Sequence, residues 1–599
     1  MSDGRSTVRT VVLTAVALLI GFAAYFTFTA YHLPIGAGPD HAAHKDVSVF
    51  IFRHGRLAVF PRDEDTLKFT PYGSTRALRP PLSYLVSASL ARLLPGSMVR
   101  STRVFRYGVG LMCAATVMLT FVGLRVYFRS TWFGVLGATL VGLMPQFSFL
   151  ASYVSDDSGA IFSATLLIVA VLVVLRYGLR LSTVVLLGLS TGLVILSKLT
   201  AWLLLPFAYV IVIASLREAK SRLPYLGVAW LLALLVGGGW WIGFNMWHYG
   251  VGDPLLFRVT ADVAQRHAGI ERPNSRGFSE RGVGFYDLTV RNYQNFIGET
   301  FKSTVGNLDR LRLRMGWPQY ALYFSVFALA VIGYLWRLLW RVGRRTASFV
   351  GQRSDGIWIE TILLCAIVFQ IYMYVRFNVK HDIQIQGKYL IPVILPVLVL
   401  FFSSIQSLKY RLNRVLELQI DLDHRHTIYN VIGGLSALLI VGVHSHALAA
   451  YVVPFYFPQP YDVSVRQFKS MDLVKGFAAA ETTNAELRNH GDALQISALA
   501  ADPRVVIGGP LCRILHRNAI LQISITSDQE GLFQIFVDNG GGFSERNTHR
   551  AIYRAGSTTL IFAVRADNCK QVRLDPMIGP GELTIDNIAV APLYISQPR

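Results

Sequence analysis

Apolar runs of about 20 residues recur along this chain from Val11 to His446, and no other feature restricts its fold so strongly. Twenty residues of helix rise about 30 Å, the thickness of a bilayer's hydrocarbon core. Eleven runs qualify: 11–29, 104–124, 131–152, 158–175, 181–197, 199–216, 223–245, 319–336, 356–376, 389–407 and 428–447. Hydrophobic residues make up 53% of the 599, too many for a soluble chain of this length. The chain therefore reads as a polytopic α-helical membrane protein of about 11 spans.

The order of charges predicts which way it faces. Lys and Arg outnumber Asp and Glu, 57 to 36. The surplus gathers in five short loops: Arg125 and Arg129; Arg176 and Arg180; Arg217, Lys220 and Arg222; Arg337, Arg341, Arg344, Arg345 and Arg353; Lys409, Arg411 and Arg414. Placing the N-terminus inside puts all five in the cytoplasm, as the positive-inside rule requires. That accounts for the basic excess, and with no nucleic-acid-binding motif present, nucleic acid is not an expected partner. The first run follows Arg5 and Arg9 without a small-x-small cleavage site, so it reads as a retained signal anchor. The outer face then receives loops 30–102 and 246–318 and residues 448–599. In the first loop, Pro80 to Leu94 is too short to span and opens on Pro80-Pro81, a helix start that lies on or re-enters the membrane surface.

Residues 448–599 change period. Ala519 to Thr526, Leu532 to Val537, Thr558 to Val564 and Leu583 to Leu593 are short β-rich runs. Asp538-Asn539-Gly540-Gly541-Gly542 and Gly579-Pro580-Gly581 supply turns between them. The pattern predicts a jelly-roll-like β-sandwich, preceded by a helical connector from Ser464 to Arg488. Two domains follow: a membrane domain, 1–447, and an extracytoplasmic domain, 448–599. Cys113 and Cys365 lie in apolar runs and act as small hydrophobes. Cys512 and Cys569 lie in the polar region, where an oxidising compartment would let them pair.

Three polar clusters sit at the outer ends of these runs: Gly38-Pro39-Asp40-His41-Ala42-Ala43-His44-Lys45, Ser155-Asp156-Asp157-Ser158 and Gln384-Ile385-Gln386-Gly387-Lys388-Tyr389. A carboxylate at a membrane boundary is expensive unless it has a partner or a task. All three fall on one face, where a cavity between helices can gather them. A carboxylate there can take a proton from a hydroxyl, and Arg79, Lys198 and Lys388 can hold a phosphate.

The layout resembles the GT-C superfamily, the integral-membrane glycosyltransferases that include lipid A aminoarabinose transferase and the protein O-mannosyltransferases. The likeness covers most of residues 10–450. It rests on Asp40-His41-Ala42-Ala43-His44, His54-Gly55-Arg56-Leu57, Arg79-Pro80-Pro81-Leu82-Ser83-Tyr84, Ser197-Lys198-Leu199-Thr200 and Gln386-Gly387-Lys388-Tyr389-Leu390-Ile391-Pro392. The resemblance implies a polyprenyl-phosphate sugar donor, inversion in one displacement and Asp40 as the base, supported by Asp157 or Asp156. His41, His44 and Tyr389 join Arg79, Lys198 and Lys388 as donor-phosphate residues. His41 stands where relatives commonly carry Glu, which removes one carboxylate from any divalent metal site built on Asp40 and Asp157. Arg573-Leu574-Asp575-Pro576 resembles the last strand of carbohydrate-binding-like domains, although residues 448–599 contain no Trp platform. The expected partners are the lipid-linked donor, a glycan or lipid acceptor and membrane lipids. The alternatives are a flippase of a lipid-linked glycan and a non-catalytic envelope assembly protein. No inverted repeat of the transporter kind is visible.

Overall fold

The computed structural model describes residues 2–34, 37–70, 73–95, 103–216, 220–267, 277–344, 355–416, 422–456, 467–499, 502–515, 517–543, 548–566, 568–577 and 580–592. Arg217, Arg345, Arg353, Ser464, Gly579 and Leu593 lie outside them, as do the side chains of Arg5, Lys220, Arg341, Arg344, Arg411 and Arg414. Among the described residues, seven helices are long and apolar enough to cross a membrane: Arg9–His32, Val104–Phe128, Asp156–Tyr177, Trp317–Trp340, Gly356–Lys380, Gly387–Tyr410 and Val431–Tyr456. Two further apolar helices, Pro224–Leu235 and Gly239–Tyr249, follow one another with a bend of 51° between them and count as an eighth span if the bent pair crosses as one. The other predicted runs form shorter apolar helices, Thr131–Gly142, Leu181–Ile195 and Leu199–Ser215. This is a multi-pass membrane protein.

Local chemistry explains the departures from unbroken spans. The run 131–152 breaks at Met144, which is extended because Pro145 follows it and opens a separate helix, Pro145–Leu150. Asp156–Tyr177 begins on a capping serine, Ser155, whose hydroxyl accepts the Asp157 N–H, with both acids in the positive first turn. The same helix carries Arg176 in its last turn, so acids and base lie about 30 Å apart at its two ends. The Pro80–Leu94 segment forms the helix Leu82–Leu93. Its Ser83, Tyr84, Ser87 and Ala88 face is buried rather than spread on a surface, and Leu82 N–H donates to the Leu196 carbonyl.

The C-terminal region is all-β, as its period predicts. One sheet runs Gly556–Ala566, Arg517–Ser527, Gly581–Pro592, Ala493–Ala498, Ala485–His490 in spatial order, with Lys469–Ser470 beside Gly581–Pro592. The other runs Glu481–Thr483, Arg504–Ile507, Gln571–Asp575, Gly531–Asp538, Thr548–Tyr553. All of these strand pairs are antiparallel, and alternate residues such as Leu494, Ile496, Ile523, Ile535, Phe562 and Leu574 form the core between the sheets. The helix expected over Ser464–Arg488 is not formed. Its described part holds one helix of five residues, Leu473–Phe477, then the strands Glu481–Thr483 and Ala485–His490. The β-branched Thr482 and Thr483 favour that outcome, and Asn484 turns the chain at φ 56°. Cys512 and Cys569 are joined as a disulfide, with Cα atoms 5.3 Å apart.

Candidate functional site

The ends of four segments meet around Asp156 and Asp157. Arg79 Nη1 lies 2.7 Å from Asp156 Oδ2 and Lys198 Nζ 3.0 Å from Asp156 Oδ1. Lys198 also reaches Asp157 Oδ1 at 2.6 Å, and Lys388 reaches Asp157 Oδ2 at 2.9 Å. Both carboxylates are buried. Buried charges persist only when paired, and here three cations surround two anions, leaving one positive charge in excess. Both ammonium groups also sit over the Tyr389 ring, 4.7 and 5.3 Å from its centroid. The Gly387 N–H donates to Ser303 Oγ at 2.7 Å, and a Cβ on Gly387 would overlap Thr304, so only glycine lets Lys388 come in this close.

Asp40 stands beside this centre in a different environment. It caps the helix His41–His54 in the left-handed region, φ 52°. Its side chain is 48% exposed and pairs with Arg76 Nη2 at 2.6 Å. Burial alone would raise the carboxyl, but the Arg76 charge outweighs it and brings the group down to about 2. One helical turn on, His44 is buried, with Nδ1 2.7 Å from the Tyr84 hydroxyl and Nε2 4.0 Å from Asp156. Burial takes its imidazole down to about 3, so it is neutral at physiological pH despite that carboxylate.

His41 points elsewhere. It is buried against Arg106, whose Nη2 lies 3.3 Å from His41 Nε2, while the same guanidinium donates to the carbonyls of Ala30, Leu33 and Pro34. His41 therefore helps to fix the turn leading to Asp40 and does not face the acid pair. The structure thus brings Asp156, Asp157, Arg79, Lys198, Lys388, Tyr389 and His44 together, with Asp40 at the edge and His41 behind it.

Three residues at this centre go unmarked in the sequence analysis: Arg76, Arg106 and Tyr153. Tyr153 packs on Gly38, where a Cβ would overlap its ring, and its hydroxyl is buried without a partner. The available signal is Arg106, a charge two residues into a membrane span, which by itself calls for a partner.

The side chains do not fit a divalent metal. Among the described residues no group of three or more His, Cys, Asp and Glu is placed to hold one. Each Asp157 oxygen already lies on a lysine ammonium, and Asp40 lies on Arg76.

Fold and charge layout define a multi-pass membrane protein with a β-rich C-terminal region. The model of the family described as "Predicted membrane protein (DUF2142)" matches residues 20–397, well over half of the chain. The chain belongs to that family. No curated protein matches the sequence. Among solved structures it is similar to ArnT from Cupriavidus metallidurans at 15% identity and TM-score 0.41. The match covers 65% of this chain and 59% of ArnT in the apo state, and 71% and 70% for ArnT bound to undecaprenyl phosphate. It is also similar to the Archaeoglobus fulgidus oligosaccharyltransferase, at 14% identity and TM-score 0.41, covering 72% of this chain and 53% of that one. Part of the chain is similar to a family 29 carbohydrate-binding module from Piromyces equi, at 14% identity and TM-score 0.17, covering 22% of this chain and 92% of the module.

Proposed function

We propose that this protein is an inverting glycosyltransferase that moves a sugar from a polyprenyl-phosphate donor to a glycan or lipid acceptor on the outer face of the cytoplasmic membrane. The observation that carries the reading is the contrast in charge at the site: a buried cluster with one cation in excess beside a half-exposed carboxylate. The surplus among Arg79, Lys198 and Lys388 suits one lipid phosphate, which supplies the charge the cluster lacks. Asp40 accepts the proton of the acceptor hydroxyl as its oxygen attacks the anomeric carbon. The bond from that carbon to the phosphate oxygen breaks, and the departing phosphate keeps the electron pair beside the three cations. The Arg76 pair keeps Asp40 ionised for each cycle. His44, neutral and held by Tyr84, spaces Asp40 from Asp156 without adding charge. The N-terminus lies in the cytoplasm and residues 448–599 lie outside, because the basic loops flank the opposite helix ends.

The test is an assay of the purified full chain with undecaprenyl phosphates carrying different single sugars. Cleavage that releases undecaprenyl phosphate supports the reading. Passage of the intact lipid across a vesicle membrane assigns a flippase, and binding without either event assigns a non-catalytic assembly role.

A further inference from the structure

Two ion pairs join the β-rich region to the helical part of the chain, and they differ in depth. Arg103 Nη2 lies 3.5 Å from Glu530 Oε2, with both side chains partly exposed, and a pair this open is worth little. Arg550, on the strand Thr548–Tyr553, lies 3.1 Å from Asp309 Oδ1, and here the side chains are only 10% and 1% exposed. The partners are 241 positions apart, so no local geometry demands the contact.

The guanidinium is aimed from the β side. With its amide oxygen turned toward Arg550, Gln534 on the neighbouring strand Gly531–Asp538 accepts from Nε at 2.7 Å and from Nη2 at 2.9 Å. That leaves Nη1 for the carboxylate. Asp309 also takes Arg312 at 3.4 Å, and its backbone sits at φ 48°, which costs energy unless contacts hold it.

Asp309 belongs to a short hairpin. Asn307 pairs with Arg314 and Leu308 with Leu313, and the Met315 N–H closes it on the Gly306 carbonyl at 3.3 Å. The hairpin continues directly from the helix Phe296–Val305. Ser303, in the last turn of that helix, accepts the Gly387 N–H at 2.7 Å. The next residue, Lys388, lies 2.9 Å from Asp157. One hairpin, one helix end and one turn therefore connect Arg550 to a cation of the buried cluster.

We infer that Arg550 is a positioning residue: by holding Asp309 it seats the Ser303–Gly387 contact and so sets where Lys388 presents its charge. The inference rests on the proposed transfer, in which Lys388 meets the lipid phosphate. It makes the β-rich region a working part of that site.

Binding of bare undecaprenyl phosphate to the full chain in detergent tests this with Arg550→Gln, Arg550→Lys, Asp309→Ala and Glu530→Gln. Arg550→Gln and Asp309→Ala each weaken binding about tenfold, the size of one charge-assisted contact. Through-space attraction predicts the opposite sign for Asp309→Ala, because losing an acid makes the site more positive. Arg550→Lys keeps the charge and recovers most of the loss, and Glu530→Gln binds as wild type does. Asp309→Ala leaves no buried acid unpaired, so the test stands on it even where Arg550→Gln extracts poorly. In a Lys388→Gln background the Asp309→Ala loss disappears, whereas in a Lys198→Gln background it persists. Equal losses in the two backgrounds mark a merely structural contact and overturn the positioning role. Asp309→Ala that binds as wild type does, or more tightly, overturns it too and leaves the transferase reading standing. A wild type that does not bind bare undecaprenyl phosphate overturns the transferase reading, and the positioning role falls with it.

Discussion

Asp40 and the Asp156–Asp157 pair lie on one face of the protein and look interchangeable as sequence, yet their surroundings differ in kind. The pair is buried and held by Arg79, Lys198 and Lys388. Asp40 is half-exposed and has Arg76 as its ion-pair partner. A carboxylate whose oxygens are each committed to a cation is poorly placed to take a proton, whereas one with an open side can meet a hydroxyl. The difference teaches that position at a helix end marks a candidate, and partner count separates a base from a scaffold.

The largest effect that sharpens this contrast is on turnover. Asp40→Asn keeps shape and removes basicity, so sugar transfer falls by roughly 10²- to 10⁴-fold while the melting temperature changes little. Normal transfer in that variant would give the base role to the pair.

Asp157→Asn acts on folding first. It leaves Lys388 without its ion-pair partner in a buried site, a loss of about 3–5 kcal/mol. The amount of monodisperse protein after extraction reads this out, and an Asp157→Asn protein as stable as wild type would break the scaffold assignment.

The third prediction concerns His44, which lies between the two regions. Its folded value of about 3 lies below the ordinary 6.5, so the unfolded chain binds the proton first. Stability is therefore full above about pH 6.5 and falls toward pH 3, by about 1.4 kcal/mol per unit. His44→Gln should flatten acid melting curves in that window.

The smallest effect is at Arg76. With Asp40 held at about 2, kcat/KM stays level down to about pH 4. Arg76→Gln lets the carboxyl return toward the ordinary 3.8, so an acid limb moves up by one to two pH units. An unchanged limb would mean that another group sets it.

Seven of the eleven expected spans, the β-rich region and the membership of the cationic cluster were legible because they rest on local signals: apolar length, turn glycines, and charges at helix ends. The connector over Ser464–Arg488 was misread because intrinsic preference there is weak and pairing to distant strands decides it. The partners of Asp40 and His41 were out of reach for another reason. Arg76 and Arg106 lie 36 and 65 positions away, and nothing in a single sequence says which basic residue turns inward. The break at Met144 was hidden inside a run read as one span, although Pro145 was its visible mark.

The central claim is a division of labour, with cations holding the lipid phosphate and Asp40 serving chemistry alone. Native mass spectrometry of the full chain with undecaprenyl phosphate tests it in wild type, Asp40→Asn and Lys198→Gln. The account predicts wild-type binding in Asp40→Asn and at least about tenfold weaker binding in Lys198→Gln, as expected for a lost charge-assisted contact. Weakened binding in Asp40→Asn together with unchanged binding in Lys198→Gln would contradict it.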